Sequence, residues 1–385
     1  MSEQYTMNAS KQKAVNIISF DIPYPPDYGG VIDVFHQVEC LSNAGVKVVL
    51  HCFQYRDRQQ DGKLEELCEE VYYYKRHTSI WRQMSYLPYS VWSRENETLI
   101  ANLLKNDYPI VFEGLVSCFY LTDERLALRK KIYREVNIEH QYYWHLAKAS
   151  RKWVEKLYFF VEGCKLYFYQ KNVKHAQSVW SVASDDADYM RRHFPNVPVV
   201  HLPCFHSHDE LMIMPGKSDY VLYHGNLALA ENESAALFLI KEVFSRLPYR
   251  CVVAGRRPNP VLYQAASQVD NVEIMANPSQ EEMDLLVKEA HIHLLYTAQP
   301  TGLKLKLLNV LYQGRHIVAN SHMLAGTDLL NSRVCHVAET AEQLVQQCLA
   351  LKNTAVGNEH IATRAKFLQS TYSRLRMTQE MLNDL

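Results

Sequence analysis

Glycine is scarce in this chain, which has 13 glycines in 385 residues against an average share of about 7% in proteins. We therefore expect each glycine to meet a local need of the backbone. Gly29 and Gly30, Gly225 and Gly255 all follow strand-like segments. Because open α/β sheets bind ligands at the carboxyl ends of their strands, these glycines predict ligand-binding turns.

Other features are also missing. The net charge of −1 argues against a general nucleic-acid binder, so no nucleic-acid partner is predicted. No apolar run approaches the roughly 18 to 20 residues that span a bilayer, and residues 1–13 lack the apolar core of a signal peptide. The nine cysteines are scattered without a Cys-x-x-Cys pair, which is typical of reduced thiols. Together these features predict a soluble cytoplasmic protein.

The order of apolar segments predicts the fold class. Strand-like runs alternate with helical patterns along the chain, which indicates parallel sheets with right-handed crossovers and hence two Rossmann-like α/β domains. The first block has strand-like runs near residues 14–20, 47–53, 71–75, 109–113, 131–138, 177–181 and 197–201. The second block has them near residues 220, 251, 272, 292, 316 and 334.

The predicted domains follow from this alternation. Residues 1–205 form the first domain and residues 206–357 the second, with the boundary at a polar stretch that contains His206 and His208. Residues 358–385 form one long helical pattern with no strand after it. We expect this helix to cross back and dock on the first domain.

Residues 299–315 are the most informative segment. They lie between the strand-like runs 293–296 and 316–319, which predicts a strand, a glycine turn at Gly302, a helix and a second strand. A glycine turn, free amides at a helix start and the charges of Lys304 and Lys306 suit a diphosphate. An amphipathic core helix with two solvated lysines is the alternative, since no Walker-type spacing is present.

Several motifs resemble those of a bacterial group of family 4 glycosyltransferases, which have the GT-B fold. In the first half they are residues 93–94 (SR) and 137–143 (NIEHQYY). In the second half they are residues 223–227 (YHGNL), 254–256 (AGR) and 301–320 (TGLKLKLLNVLYQGRHIVAN). The resemblance covers nearly the whole chain. It implies two facing Rossmann-like domains and a retaining, metal-independent transfer of a sugar from a nucleotide sugar.

The same resemblance implies roles for individual residues, with the donor mainly on the second domain and the acceptor on the first. Lys304 and Lys306 would hold the donor diphosphate and stabilise the charge of the leaving phosphate. Asn309 stands where many relatives have the second glutamate of an E-x7-E motif, which holds the ribose hydroxyls. The full set of implied donor-binding residues is Gly29, Gly30, Gly225, Asn226, Arg256, Thr301, Gly302, Lys304, Lys306 and Asn309.

The acceptor side departs from the family pattern, because relatives often have histidines where this chain has Val116 and Val136. A retaining front-face transfer needs little from a protein base, since a leaving phosphate oxygen can take the acceptor proton. Glu113, at a strand end, and His140, just past the next strand, are the acceptor-side candidates for a catalytic role. As isolated residues, each is more often structural.

Several weaker features have a structural explanation as well as a functional one. Asp186 and Asp188 match the Asp-x-Asp motif of metal-dependent transferases. They follow a strand end and a helix cap at Ser184, which is the pattern of a helix start. No metal site and no cofactor are predicted. Two features could meet anionic lipid or membrane: the cations of residues 125–134 and the aromatic residues 158–169, for which core packing is the simpler explanation. The residues proposed for a lipid-linked acceptor are Trp81, Tyr86, Leu87, Tyr89 and Trp92.

The sequence therefore predicts a cytoplasmic glycosyltransferase of the hexosyltransferase type, with peripheral contact at the inner face of the membrane. Its predicted partners are a nucleotide-sugar donor and a glycan or lipid-linked acceptor in the assembly of surface polysaccharide or another glycoconjugate. Two alternatives stay open. One is a nucleotide-sugar epimerase, which shares the architecture. The other is a non-catalytic nucleotide-sugar-binding subunit.

Overall fold

The computed structural model describes residues 12–55, 58–79, 84–150, 152–299, 303–330 and 332–385. Within them the chain forms two compact units. The first takes in the residues up to Val182, Asp186–Phe205 and Met377–Leu385. The second takes in Ala183–Asp185 and His206–Arg376. Each unit contains one parallel sheet.

The sheet of the first unit has seven strands. They are β1 (Ala14–Ser19), β2 (Lys47–Gln54), β3 (Glu70–Lys75), β4 (Ile110–Glu113), β5 (Lys131–Glu135), β6 (Ser178–Ser181) and β7 (Val199–His201). Their order in the sheet is β3-β2-β1-β4-β5-β6-β7. All residues of β4, β5 and β6 are buried, as expected of parallel strands that are covered on both faces.

Seven α-helices lie among the described residues of this part of the chain. They are α1 (Gly29–Asn43), α2 (Gly62–Leu67), α3 (Tyr89–Trp92), α4 (Glu97–Leu103), α5 (Glu139–Ala149), α6 (Trp153–Tyr169) and α7 (Ser184–His193). The side chains of Asp61 and Asn96 accept hydrogen bonds from the first amides of α2 and α4, so both helices begin at a preferred capping residue.

The sheet of the second unit has six strands. They are β8 (Val221–Asn226), β9 (Cys251–Arg256), β10 (Val272–Ala276), β11 (Ile292–Leu295), β12 (His316–Ala319) and β13 (His336–Val337). Their order is β10-β9-β8-β11-β12-β13. All thirteen strands lie where the apolar runs of the sequence predict them.

Eight α-helices follow the strands in the described residues of the second half. They are α8 (Ala230–Phe238), α9 (Pro260–Ala266), α10 (Gln280–Glu289), α11 (Leu305–Gln313), α12 (Ser321–Leu324), α13 (Ala341–Leu351), α14 (Asn358–Thr371) and α15 (Arg374–Asp384). Both α10 and α13 begin with a capping box, in which Ser279 pairs with Glu282 and Thr340 with Gln343. These reciprocal bonds fix the starts of the two helices.

The end of the chain differs from the single helix that the sequence pattern predicts over residues 358–385. It forms two helices, α14 and α15, with a break at Tyr372 and Ser373. The carbonyl of Tyr372 is 2.9 Å from His206 Nε2 and accepts a hydrogen bond from the Tyr312 hydroxyl at 3.1 Å. These bonds turn the carbonyl away from a continuing helix, which explains the break.

Helix α15 belongs to the first unit from Met377 onward. Met377 and Met381 are buried in the core cluster that also contains Trp180. The Asp384 carboxylate accepts a hydrogen bond from Trp180 Nε1 at 2.7 Å and pairs with Lys130 at 2.8 Å. The last helix is therefore held by both packing and polar contacts.

Within the described ranges, no helix combines the length and the apolar character that crossing a bilayer requires.

Candidate functional site

The second sheet changes direction between two neighbouring strands. From β8 the chain continues to β9 and β10 on one side, whereas β11, β12 and β13 follow on the other side. Such a switch point marks where open α/β sheets bind ligands, at the carboxyl ends of the two central strands. Helices α8 and α11 follow β8 and β11, so their first residues are the candidates for ligand contacts.

Lys306, in the first turn of α11, links the two helices at this switch point. Its ammonium group donates a hydrogen bond to Asn232 Oδ1 on α8 at 3.1 Å and lies 5.1 Å from the centre of the Tyr223 ring. Within the described residues it has no carboxylate oxygen closer than 4.0 Å. Burial lowers the pKa of Lys306 to about 8, and Glu231 opposes this only in part. A cation placed in this way is suited to neutralise an anionic ligand.

Lys304 precedes Lys306 at the start of the same helix. It is the N-cap residue of α11, its carbonyl accepts a hydrogen bond from the amide of Leu307 at 2.8 Å, and it is half-buried. Thr301 and Gly302 lie outside the described residues. Their implied contact with the donor diphosphate therefore stays a prediction.

The ends of β8 and β9 supply the other implied donor contacts. Asn226 and Arg256 are paired in register and both are exposed. A side chain at Gly255 is excluded by packing, because a Cβ atom there would lie 1.8 Å from the carbonyl oxygen of Gly225. A Cβ atom at Gly225 would lie 3.3 Å from the Asn232 carboxamide carbon. Gly225 thus leaves room for the residue that positions Lys306.

The side chain of Asn309, one helical turn after Lys306, is held by polar contacts within the second unit. Its Oδ1 accepts a hydrogen bond from Gln313 Nε2 at 2.7 Å and lies 2.9 Å from His208 Nε2. His206, two residues earlier, is buried and contacts Tyr372. The sequence places both histidines in the polar stretch at the domain boundary, and in the structure His208 contacts the Asn309 amide.

In the first unit, α1 begins at Gly29 directly after Tyr28, whose side chain does not cap the helix. Gly29 is exposed. A Cβ atom at Gly30 would lie 2.5 Å from Cζ of Phe20. A side chain at position 30 would therefore require the Phe20 ring to move away from the first turn of α1.

A polar cavity of about 760 Å³ lies in the first unit. It opens where β1, β2 and β3 end, since Phe20, Gln54 and Lys75 line it. The remaining lining residues are tyrosines, cations and small or apolar groups: Tyr28, Tyr55, Arg76, Thr78, Tyr89, Ser90, Arg94, Val116, Tyr143, Tyr158 and Phe159. Val116, one of the two positions where relatives have histidine, therefore faces this cavity.

Glu113 lies at the end of β4, as the sequence predicts, but it is fully buried. Burial raises its pKa to about 8, against the opposing effects of Arg134 and a weak interaction with Gln37. Arg134, its neighbour on β5, is bound to Asp33 at 3.1 Å. Glu113 thus belongs to a buried charged cluster and does not line the cavity.

His140 lies in the first turn of α5 and is also buried. Its ring contacts Trp144 and Tyr167 edge-on, with ring centres 5.0 and 5.1 Å apart. Burial lowers its pKa. The contacts of His140 are those of a packed aromatic residue, whereas its half-buried neighbour Glu139 lies near Gly114 and Val116.

The aromatic residues proposed for a lipid-linked acceptor are dispersed. Tyr89 lines the cavity, Tyr86 is exposed, and Trp92 donates a hydrogen bond to Glu95 at 3.0 Å. Leu87 is half-buried. Trp81 lies outside the described residues.

The acidic pair and the cation run have structural contacts. Asp188 pairs with Arg191 at 2.7 Å on α7. In the part of the chain that the structure describes, no three His, Cys, Asp or Glu side chains are grouped so that they could hold a metal ion. All five cations of residues 125–134 contact carboxylates or carbonyl oxygens of the first unit: Arg125, Arg129, Lys130, Lys131 and Arg134.

Sequence reasoning missed Arg76 and gave Arg94 only as part of a motif. Both residues line the cavity. The available clue was position, because Arg76 immediately follows β3, at the edge where parallel sheets bind ligands.

No family model matches the chain. It is 23% identical over 389 residues to an uncharacterised 44.6 kDa protein in the cps region of Klebsiella pneumoniae, and the match covers 96% of this chain and 98% of that protein.

Solved structures resemble the chain over almost its whole length. A glycosyltransferase from Rickettsia africae has a TM-score of 0.63 at 11% identity, covering 97% of this chain and 98% of that one. Anabaena HepE in complex with UDP and glucose has a TM-score of 0.63 at 11% identity, covering 97% and 100%. A variant of TarM from S. aureus, in complex with fondaparinux, α-GlcNAc-glycerol and UDP, has a TM-score of 0.64 at 8% identity, covering 97% and 99%.

These neighbours identify the fold. The chain has the GT-B fold, with one parallel α/β sheet in each half and a helix at the carboxyl end. The fold class predicted from the sequence is confirmed.

Proposed function

We propose that this chain is a retaining, metal-independent glycosyltransferase that moves a hexose from a nucleotide sugar to a glycan or lipid-linked acceptor in polysaccharide assembly. The observation that carries the proposal is Lys306, a partly desolvated cation without a carboxylate partner in the described chain, at the switch point of the second sheet. The UDP complexes of HepE and TarM and the cps-region relative support it.

The electrostatics favour a diphosphate at Lys306. Partial burial strengthens the attraction between an ammonium group and a phosphate, because fewer water dipoles screen them. A leaving nucleoside diphosphate gains negative charge in the transition state, and one donor aimed at such charge is typically worth about 2.7 to 4 kcal/mol. We propose the same function for Lys304. We also propose that the other residues of the implied donor-binding set make the remaining contacts with the nucleotide sugar.

We propose that residues 206–357 bind the donor and residues 1–205 the acceptor. The cavity of the first unit is the proposed acceptor site, since Val116 lines it. Glu113 and His140 are buried in the described conformation. A mechanism in which the leaving phosphate takes the acceptor proton needs neither as a base.

One observation favours a second candidate, a non-catalytic nucleotide-sugar-binding subunit. Neither acceptor-side candidate, Glu113 or His140, is exposed. Such a subunit would bind nucleotide sugars without turning them over, and so would differ from the transferase in turnover alone.

The test measures binding and turnover separately. Uridine, guanosine, cytidine and deoxythymidine diphosphates are screened by thermal shift, and we expect at least one to raise the melting temperature. A ligand at 100 times its dissociation constant stabilises the folded state by about 2.7 kcal/mol.

The corresponding nucleotide sugars are then incubated with glycan and lipid-linked acceptors in the presence of excess chelator. Transfer to an acceptor supports the transferase, and interconversion without acceptor indicates an epimerase. Binding without either reaction identifies the non-catalytic subunit. A strict need for added magnesium or manganese would refute the metal-independent mechanism.

We propose, in addition, that helices α5 and α6 contact the anionic inner face of the membrane. Trp153, Leu157 and Phe160 of α6 are 74%, 54% and 53% exposed. With Lys148 and Lys156 they line an apolar surface cavity of about 580 Å³. Exposed aromatic and apolar groups among lysines are suited to a lipid surface, because the rings enter the headgroup region and the ammonium groups attract anionic lipid.

This contact predicts a difference in vesicle binding. We expect the protein to float with vesicles of phosphatidylglycerol and phosphatidylcholine, and the double variant Trp153→Ser/Phe160→Ser to float much less. Leu128→Ser is the matched control, since Leu128 is fully exposed elsewhere in the same unit. Equal flotation of the double variant and the control would refute the proposed surface.

A further inference from the structure

The cavity of the first unit contains an unusual charge arrangement. Among the described residues its lining has three cationic side chains, Lys75, Arg76 and Arg94, and no carboxylate. Arg76 and Arg94 lie close enough together that the charge of Arg76 acts on Arg94. The charge of Arg76 therefore disfavours the charged form of Arg94, and an anion beside the two groups would offset this repulsion.

Arg94 is buried, with 6% of its surface exposed. Its terminal nitrogens donate hydrogen bonds to the carbonyl oxygens of Ser90 and Phe20, the latter at 3.1 Å. Its Nε atom is buried without a hydrogen-bond partner among the described residues. Burial and the charge of Arg76 lower the pKa of Arg94 to about 9.

Arg76 is held beside it. Its Nη2 atom donates to the Ser93 hydroxyl at 2.8 Å, and its guanidinium lies 4.9 Å from the centre of the Tyr55 ring. Within the described residues, neither arginine has a carboxylate oxygen within 4.0 Å. Tyr143, Glu139 and Asp21 raise the pKa of Arg94 but do not outweigh burial and the charge of Arg76, and burial raises the pKa of Glu139 itself to about 7.

Two guanidinium groups with no carboxylate oxygen within 4.0 Å in the described part of the chain are costly beside a low-dielectric wall. An oxyanion in the cavity would offset that cost and could bind both groups, because guanidinium forks match carboxylate and phosphate geometry. The cavity is also lined by Tyr89, Tyr143 and Tyr158. Their rings offer flat surfaces for a sugar.

We propose that this cavity is an anion-selective acceptor subsite, in which Arg76 and Arg94 bind an oxyanion carried by the acceptor sugar. The anion is the carboxylate of an acidic sugar or the phosphate of a sugar phosphate. That the bound sugar is an acceptor rests on the proposed transferase function. The anion site itself is independent of the donor site.

The test uses the full chain and three small probes by isothermal titration calorimetry: methyl β-D-glucuronide, α-D-glucose 1-phosphate and neutral methyl β-D-glucoside. We expect at least one anionic probe to bind and the neutral probe to bind more weakly. The preferred anionic probe distinguishes a carboxylate from a phosphate. Arg76→Gln should weaken that binding at least about tenfold, the loss expected from one charged hydrogen bond.

Arg125→Gln is the matched control, because Arg125 is an exposed arginine of the same unit that pairs with Asp123, and it should bind the probe like the wild type. Uridine diphosphate is titrated in parallel. Its retained binding to Arg76→Gln shows that the variant is folded and that the donor site is separate. Equal affinity for charged and neutral probes, no binding of either anion to the wild type, or an unchanged affinity of Arg76→Gln would each overturn the proposal.

Discussion

Replacing Lys306 with methionine should remove most of the stabilisation that a nucleoside diphosphate gives to the protein. Methionine keeps the apolar stem but removes the charge, which has no carboxylate partner in the described chain. A hydrogen bond to a charged group is worth about 1.5 to 3 kcal/mol, so affinity should fall about 10- to 100-fold. The measurement is calorimetric titration with the diphosphate that shifts the wild-type melting temperature.

The unliganded melting temperature should change little. Removal of a partly buried charge that has no carboxylate partner among the described residues offsets the loss of its bond to Asn232. Lys241→Ala is the control, since Lys241 is an exposed lysine of the same unit. Unchanged diphosphate affinity in Lys306→Met would show that the lysine is only structural.

The same site predicts a pH dependence. The pKa of Lys306 in the free protein is about 8, below its ordinary value of about 10.4. A bound diphosphate favours the ammonium form, so affinity should be highest below pH 8 and fall as the pH rises from 8 to 9. Lys306→Met should lack this fall.

The positions of the strands along the chain could be predicted from sequence because parallel strands carry continuous apolar runs. Residues 110–113 (IVFE) are all buried in β4, and the apolar run locates the strand without any tertiary information. The alternation of such runs with helical patterns then fixes the α/β class.

The environment of a single side chain could not be predicted in the same way. The sequence places Lys304 and Lys306 in one turn and suggests two similar lysines. In the structure Lys306 lies against Tyr223 and Asn232, which come from another strand and helix. Its lowered pKa follows from that packing, not from the local spacing.

The acceptor side shows the same limit. The strand-end rule selected Glu113, but the cluster of Asp33 and Arg134 encloses it. Arg76 and Arg94 are brought together through Ser93, which bonds to Arg76 and precedes Arg94. The spacing of residues along the sequence does not predict that the end of β3 lies beside α3.

The break at Tyr372 is a third case. Helices often stop at glycine or proline, and neither residue occurs between 358 and 385. The break instead follows from His206 and Tyr312, which bind the carbonyl of Tyr372. Both are distant in sequence, so the helical pattern alone predicts a continuous helix.

Replacing Met381 with alanine should cost about 2 to 5 kcal/mol of stability, the usual cost of removing a buried methionine side chain. Met381 is fully buried in the core of the first unit, among the side chains that surround Trp180. Because the total stability of a domain is about 5 to 15 kcal/mol, the denaturation midpoint in urea should fall clearly.

The control for Met381→Ala is Leu375→Ala on the same helix. Leu375 is 82% exposed, and an exposed substitution usually changes stability by no more than about 0.5 kcal/mol. Both variants alter the helix propensity of α15 in the same direction, so their difference isolates the packing of Met381 against the first unit. Equal midpoints for the two variants would mean that α15 is not part of that core. A fall confined to Met381→Ala would show that the end of the chain, after passing through the second unit, stabilises the first.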